Sequence, residues 1–310
     1  MTRLFGCLLA ALISTIAQAQ LCDQSQRFCG FANNSPAGSS GGAPTHGSKV
    51  RINPSAVPLE KSLGLEAIFF DGADLAVVKG LGRVGAAISP SNSEQTFFGP
   101  PGIELPEDQL ARYVDHHKYP AHKITLATAV GLYKNDSSGL DRFALNLGVM
   151  GKYNQITHAL SPGGGLSGVL GPFTFGYSLY ADQTQLDYTV YGLSTKPVTK
   201  YYVETYSAGL FLNSIAIDYS VLRMVTNDVA TTSVLTGTLM LGRSLTTLAF
   251  RNEKSIRPEY NALLHVLESK ETKNEGFVGF QYAVFDPLMV GIFYNYYLLH
   301  ELSLGTTYFF

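Results

Sequence analysis

Bulky apolar residues alternate with small or polar ones, at a period of two, through segment after segment of this 310-residue chain. Ile124, Leu126, Thr128, Val130 and Leu132 share one face, with Lys123, Thr125, Ala127, Ala129 and Gly131 opposite. Phe143, Leu145, Leu147 and Val149 oppose Arg142, Ala144, Asn146, Gly148 and Met150. Phe173, Phe175, Tyr177 and Leu179 oppose Thr174, Gly176, Ser178 and Tyr180. The same split recurs at Ile215, Ile217, Tyr219 and Val221 against Ala216, Asp218 and Ser220, and at Leu288, Val290, Ile292, Tyr294 and Tyr296 against Met289, Gly291, Phe293 and Asn295. Side chains alternate across a strand but return every three to four residues on a helix, so these segments are strands with one apolar face.

What those faces meet is decided by charge. Only 15% of the residues are charged, against about 25% in soluble domains, while 18 Tyr, 18 Phe and 31 Gly lend an aromatic, glycine-rich character. That is too little charge to coat a soluble surface of this size. Beyond the first residues no apolar run reaches the roughly 18 that a membrane helix needs. An all-β fold, a transmembrane antiparallel barrel, satisfies both facts by sending apolar side chains outward and small or polar ones into the lumen.

The chain start gives a compartment. Arg3, the apolar run Leu4 to Ile16 and the site Ala17-Gln18-Ala19 predict a secretory leader over residues 1–19. Cys22 lacks the small preceding residue that lipid attachment needs. Cys7 leaves with the leader, and Cys22 with Cys29 is the expected disulfide of an oxidising periplasm; a two-Cys metal site would lack nearby His. Residues 20–58 read as an irregular segment, either a periplasmic tail or a plug, and residues 59–310 as the barrel. With both ends in the periplasm the count is about fourteen strands, from Leu63 to Phe310. Twelve is the alternative, and the hairpin around Asp71-Gly72-Ala73 and a strand from Gln185 to Gly192 decide between them. Two long interruptions, Pro90 to Ala121 and Gln155 to Leu170, fall by this parity in the periplasm, although long barrel loops are normally extracellular.

The closing stretch sets Phe310, Tyr308, Thr306, Leu304 and Leu302 on one face. In this the chain resembles bacterial outer-membrane β-barrel proteins, whose last strand typically ends on Phe with aromatic or aliphatic residues at every second position before it. The resemblance implies the outer membrane of a Gram-negative bacterium, its lipids as surroundings, and Phe310 with Tyr308 as a signal read by the barrel-assembly machinery. The chain has no Trp for an aromatic belt, a place that Tyr can take. The small-residue run leading into Asn53-Pro54-Ser55-Ala56 is similar to the N-terminal hatch of the long-chain fatty-acid transporter family, where Asn-Pro-Ala precedes the first strand; Ser55 stands where that family has Ala. This second resemblance implies uptake of hydrophobic small molecules through a plugged barrel.

Other motifs read as structure. Gly80-Leu81-Gly82-Arg83-Val84-Gly85 has dinucleotide-loop spacing, but Pro90 cuts off any helix after it, so the glycines belong to a tightly curved strand or a hairpin. Asp115-His116-His117 with His122 could ligate a metal yet reads as a solvated loop, and the charged run Glu268 to Glu275 as an exposed hairpin end. Pro106-Glu107-Asp108 opens a short helical pattern. No G-x-S-x-G occurs, and His265 and His300 lack a Ser partner, so no catalytic set, cofactor or metal is expected. The net charge of -2 offers nothing to nucleic acid. The lumen face is small and weakly charged, with Arg142, Asn146, Tyr180 and Asp218 as candidate ligand-lining residues and Lys152 and Asp187 as further charges. Passage of small hydrophobic molecules is the function expected; a structural or surface-interaction barrel and a lipid hydrolase are the alternatives.

Overall fold

A strand with one apolar face still carries N–H and C=O groups along both edges, and at membrane depth only closure of the sheet satisfies them all. The computed structural model describes residues 47–69, 73–91, 123–135, 141–185, 188–190, 193–195, 198–212, 214–224, 230–259, 267–295 and 302–309. Its strands are β1 Ser62–Phe69, β2 Ala73–Gly80, β3 Val84–Ser91, β4 Lys123–Lys134, β5 Phe143–Asn154, β6 Ala159–Leu170, β7 Phe173–Gln185, β8 Tyr188–Val190, β9 Leu193–Thr195 and β10 Val198–Phe211. They continue with β11 Ile215–Met224, β12 Ala230–Leu241, β13 Ser244–Glu259, β14 Leu267–Phe285, β15 Leu288–Asn295 and β16 Leu302–Phe309. Fourteen of them close one antiparallel barrel in sequence order, while β8 and β9 form a separate two-stranded sheet. The seam pairs β1 with β16, from Gly64 opposite Phe309 to Phe69 opposite Leu304.

Burial is inverted relative to a soluble protein. Outward Phe173 and Leu248 are 56% and 61% exposed, whereas inward Thr125, Ser178, Ser220 and Thr232 are 0% exposed. An exterior of this kind needs lipid, and the alternation seen in the sequence is the lipid-facing and lumen-facing split of a transmembrane barrel.

Four expectations are corrected. Fourteen strands form without Gln185 to Gly192, because β7 and β10 pair directly from Gln185 opposite Val198 to Phe173 opposite Leu210, leaving no place in the wall between them. Gln155 to Leu170 is not a long interruption: residues 155–158 make a turn and β6 follows, its low strand propensity coming from Pro162 and Gly163-Gly164-Gly165. Pro90 belongs to β3, and the connection 92–122 leaves β3 at the end of the barrel opposite the root of β1, so it does not share an end with the chain termini. The parity conflict thereby disappears. At the root end lie turns such as 81–83, 171–172, 242–243 and 286–287; at the other end β3 stops and β4 starts, and β7 stops and β10 starts. The charged run Glu268 to Glu275 is also strand, paired along β13.

Candidate functional site

Residues 47–60 lie inside the barrel. Gly47 and Val50 are buried, as is every residue from Asn53 to Pro58, and the segment makes two 3-10 turns, Ser48–Arg51 and Pro54–Ala56. Pro54 opens the second turn, and the Asn53 side chain caps it by accepting from Ser55 N–H at 3.1 Å and from Ser55 Oγ at 2.7 Å. Asn53 Nδ2 reaches Leu166 O at 3.4 Å, Ser167 Oγ donates to Ser55 O at 2.9 Å, and Ser178 Oγ donates to Ile52 O at 2.6 Å. The backbone polar groups of an irregular segment at membrane depth are thus taken up by the wall.

The wall is cut back to receive it. A Cβ at Gly148 would overlap the backbone of Pro54 and Ser55, one at Gly165 the Asn53 side chain, and ones at Gly85 and Gly80 the carbonyls of Pro58 and Glu60. The last two explain the G-x-G-x-x-G spacing. The chain crosses these glycines on its way to the barrel mouth, and Gly82, at φ 114°, turns the hairpin while its N–H bonds Leu59 O at 2.6 Å.

Around these backbone contacts the seat is half apolar and half charged. Val50, Val57 and Leu59 pack with Ala76, Val78, Ala127, Met150, Val203 and Leu222 in one cluster. Arg51 grips Asp74 of β2 through both guanidinium nitrogens, at 3.0 and 2.6 Å, and Ser91 Oγ bonds the same carboxylate. Burial pushes the Lys49 ammonium down to about 8, against the pull of the Asp218 and Glu66 carboxylates. A second group braces the wall itself. Lys123 Nζ bonds Asp182 at 2.7 Å, Lys152 Nζ lies 3.7 Å from the other carboxylate oxygen, and Lys152 sits 4.1 Å from the centroid of the Tyr180 ring.

Of the residues singled out from the sequence, Asn146, Tyr180 and Asp218 are buried on the inward faces of β5, β7 and β11. Asp218 accepts from Ser220 Oγ at 3.0 Å. Arg142 lies apart from them, just before β5 at the root end and half-buried, where its carbonyl accepts from Gly171 N–H at 2.7 Å. Tyr308 pairs with Leu65 of β1 and Leu288 of β15. Phe310, Cys22, Cys29, Asp187, the Pro106 stretch, the Asp115 to His122 cluster, His265 and His300 lie outside the described residues. His158 is the one histidine among the described residues, and its Nδ1 is 3.2 Å from the Tyr153 hydroxyl. Lys49, Arg51, Glu66, Asp74 and Asp182 were not singled out. Their signal was a charge on an otherwise apolar or small face, and their partners stand too far along the chain for periodicity to find.

No family model and no curated protein matches the chain. Solved structures similar to it include a loop-deletion mutant of OmpT, an outer membrane protein of Vibrio cholerae, at 12% identity and TM-score 0.39, covering 80% of this chain and 97% of that one. A deletion mutant of TodX, a monoaromatic hydrocarbon channel, is similar at 10% identity and TM-score 0.43, covering 88% and 96%. The outer membrane channel DcaP of Acinetobacter baumannii is similar at 11% identity and TM-score 0.37, covering 80% and 95%. Scores this low carry no argument, and the barrel stands on its own strand pairing.

Proposed function

We propose that this chain is an outer-membrane channel of a Gram-negative bacterium, held closed by its own residues 47–60 and passing small molecules of low charge, hydrophobic ones above all. The seat carries the reading: Gly80, Gly85, Gly148 and Gly165 make room in the wall for a segment whose carbonyls the wall then bonds. The apolar character of the cargo follows from what the plug covers. When Val50, Val57 and Leu59 withdraw, Ala76, Val78, Ala127, Met150, Val203 and Leu222 are offered to a solute of the same character. Each CH₂ buried there contributes roughly 0.8 kcal/mol, so a solute of modest size reaches micromolar affinity with few polar contacts.

Conductance in a planar bilayer tests this, with the full-length protein beside a deletion of residues 20–58 and an uncharged apolar fluorophore as binding probe. The full-length protein should conduct poorly, and the deletion should open a conductance and bind the fluorophore more tightly. A full-length barrel that conducts freely and binds no apolar probe is a general porin instead. A structural barrel without transport is the second reading, favoured by the Lys123, Asp182 and Lys152 brace, which ties β4, β5 and β7 together without help from the plug. A deletion that stays closed would select it.

A further inference from the structure

The outward face of the wall is not uniform around the barrel. On β4, β5 and β6 it stays apolar out to Ile124, Tyr153 and Leu160, close to the ends of those strands that lie away from the root. On β10 to β13 the apolar and aromatic run ends at Tyr206, Val221, Leu235 and Phe250, and the next outward positions are Glu204, Arg223, Ser233 and Asn252. Two of these are paired along the wall: Glu204 accepts from the Tyr177 hydroxyl at 2.9 Å, and Asn252 Nδ2 donates to Asn274 Oδ1 at 2.6 Å. The register then sets Arg223 opposite Thr231 and Thr231 opposite Lys254, so a guanidinium, a hydroxyl and an ammonium share one outward row. Arg223 and Lys254 are exposed and Thr231 is half-buried. Two strand spacings, about 10 Å, separate the backbones of the two cations, a gap that their long side chains close around a group the size of a phosphate. Glu204 stands opposite Arg223 on the other side, and a guanidinium with its several N–H donors serves both that carboxylate and an outside anion.

The level of the row matters as much as its charge. Arg223 comes late in β11, which starts from Ile215 at the root end, and eight residues of a strand tilted by about 40° rise roughly 20 Å, toward the top of an apolar belt about 25 Å tall. The row therefore stands where hydrocarbon gives way to headgroups, with Val221, Leu235 and Phe250 below it on the same three strands. Short turns such as 171–172 and 242–243 mark the root end as periplasmic, which makes these the headgroups of the outer leaflet.

We propose that Arg223, Thr231 and Lys254 bind the phosphate of an outer-leaflet lipid that carries a phosphomonoester, its acyl chains lying along Val221, Leu235 and Phe250. A phosphomonoester has close to two negative charges and three acceptor oxygens at neutral pH, which two cations and a hydroxyl match, and Arg223 takes two of the oxygens in its fork. A zwitterionic head brings its own cation to a row that is already basic and is disfavoured. The site needs neither the plug nor any particular cargo.

Native mass spectrometry tests this, on the full-length protein in a nonionic detergent titrated with dioleoyl phosphatidic acid, dioleoyl phosphatidylcholine or inorganic phosphate. Phosphatidic acid should bind about tenfold more tightly than phosphatidylcholine, and an equal concentration of inorganic phosphate should not displace it. Arg223→Gln and Lys254→Gln should each weaken the acid three- to fivefold and together bring it to the level of phosphatidylcholine. Lys200→Gln, which removes an exposed cation of β10 outside the row, should change it less than twofold. Gel mobility before and after heating verifies that each variant is folded. If Lys200→Gln weakens binding as much as Arg223→Gln, or the double variant binds like the wild type, the row is part of a diffuse basic rim and the site is overturned. Displacement by inorganic phosphate overturns the lipid assignment in favour of a free anion. Conductance enters none of these outcomes, so the channel reading stands or falls separately.

Discussion

Gly148 and Gly165 differ in what a methyl group would strike. At Gly148 it meets the backbone of Pro54 and Ser55, which cannot turn aside; at Gly165 it meets the side chain of Asn53, which can rotate at the expense of its cap on Ser55. Around Gly237 there is nothing within 4 Å. Overpacking costs about 1–3 kcal/mol, so Gly148→Ala should raise the open-to-closed ratio roughly 5- to 150-fold. Gly165→Ala should raise it less, and Gly237→Ala should leave it at the wild-type value. Planar-bilayer recordings of the three variants check the order, and equal leakage from Gly148→Ala and Gly237→Ala would mean that the seat is not the seal. Little of this was legible beforehand. Asn53-Pro54 stood out as a motif, but Arg51 and Asp74 meet across 23 positions of sequence, a relation that no local pattern carries.

Among the elements, alternation gave the faces of β4, β5, β7, β11 and β15 because each has one wall of lipid and one of lumen. It failed at β6, where the inward positions Gly163 and Gly165 are small for reasons that lie in other segments: Tyr180 and Met150 crowd the first, and Asn53 the second. A strand shaped by its neighbours imitates a loop when read alone. The seam between β1 and β16 gives the element-scale prediction. Phe309 and Tyr308 pair with Gly64 and Leu65, and Phe310 follows them directly. If Phe310 acts as the assembly signal, its deletion should lower the folded yield in cells while refolding into detergent in vitro changes little. Equal losses in the two assays would make it a packing contact only.

For the molecule as a whole, the exposed ring of Leu126, Val149, Leu160, Phe175, Leu248 and Phe250 dictates where the protein can live. It should fractionate with outer membranes and migrate differently on gels before and after heating, since a barrel closed by hydrogen bonds between strands resists detergent until heat opens it. Recovery as a soluble monomer without detergent would overturn the placement in lipid. The seat of the plug bears on assembly as well. Lys61 alone separates Glu60 from Ser62, the first residue of the strand that seals the cylinder, and that seal joins Gly64 to Phe309 across nearly the whole sequence. Contacts so distant in sequence form late, because the chain entropy of bringing them together is lost before they can repay it. If residues 47–60 take their seat before that seal forms, the cylinder closes around them, as a ship is laid down before the bottle is drawn around it. Residues 47–60 would then act first as a mandrel on which the strands are wound, and only afterwards as a stopper.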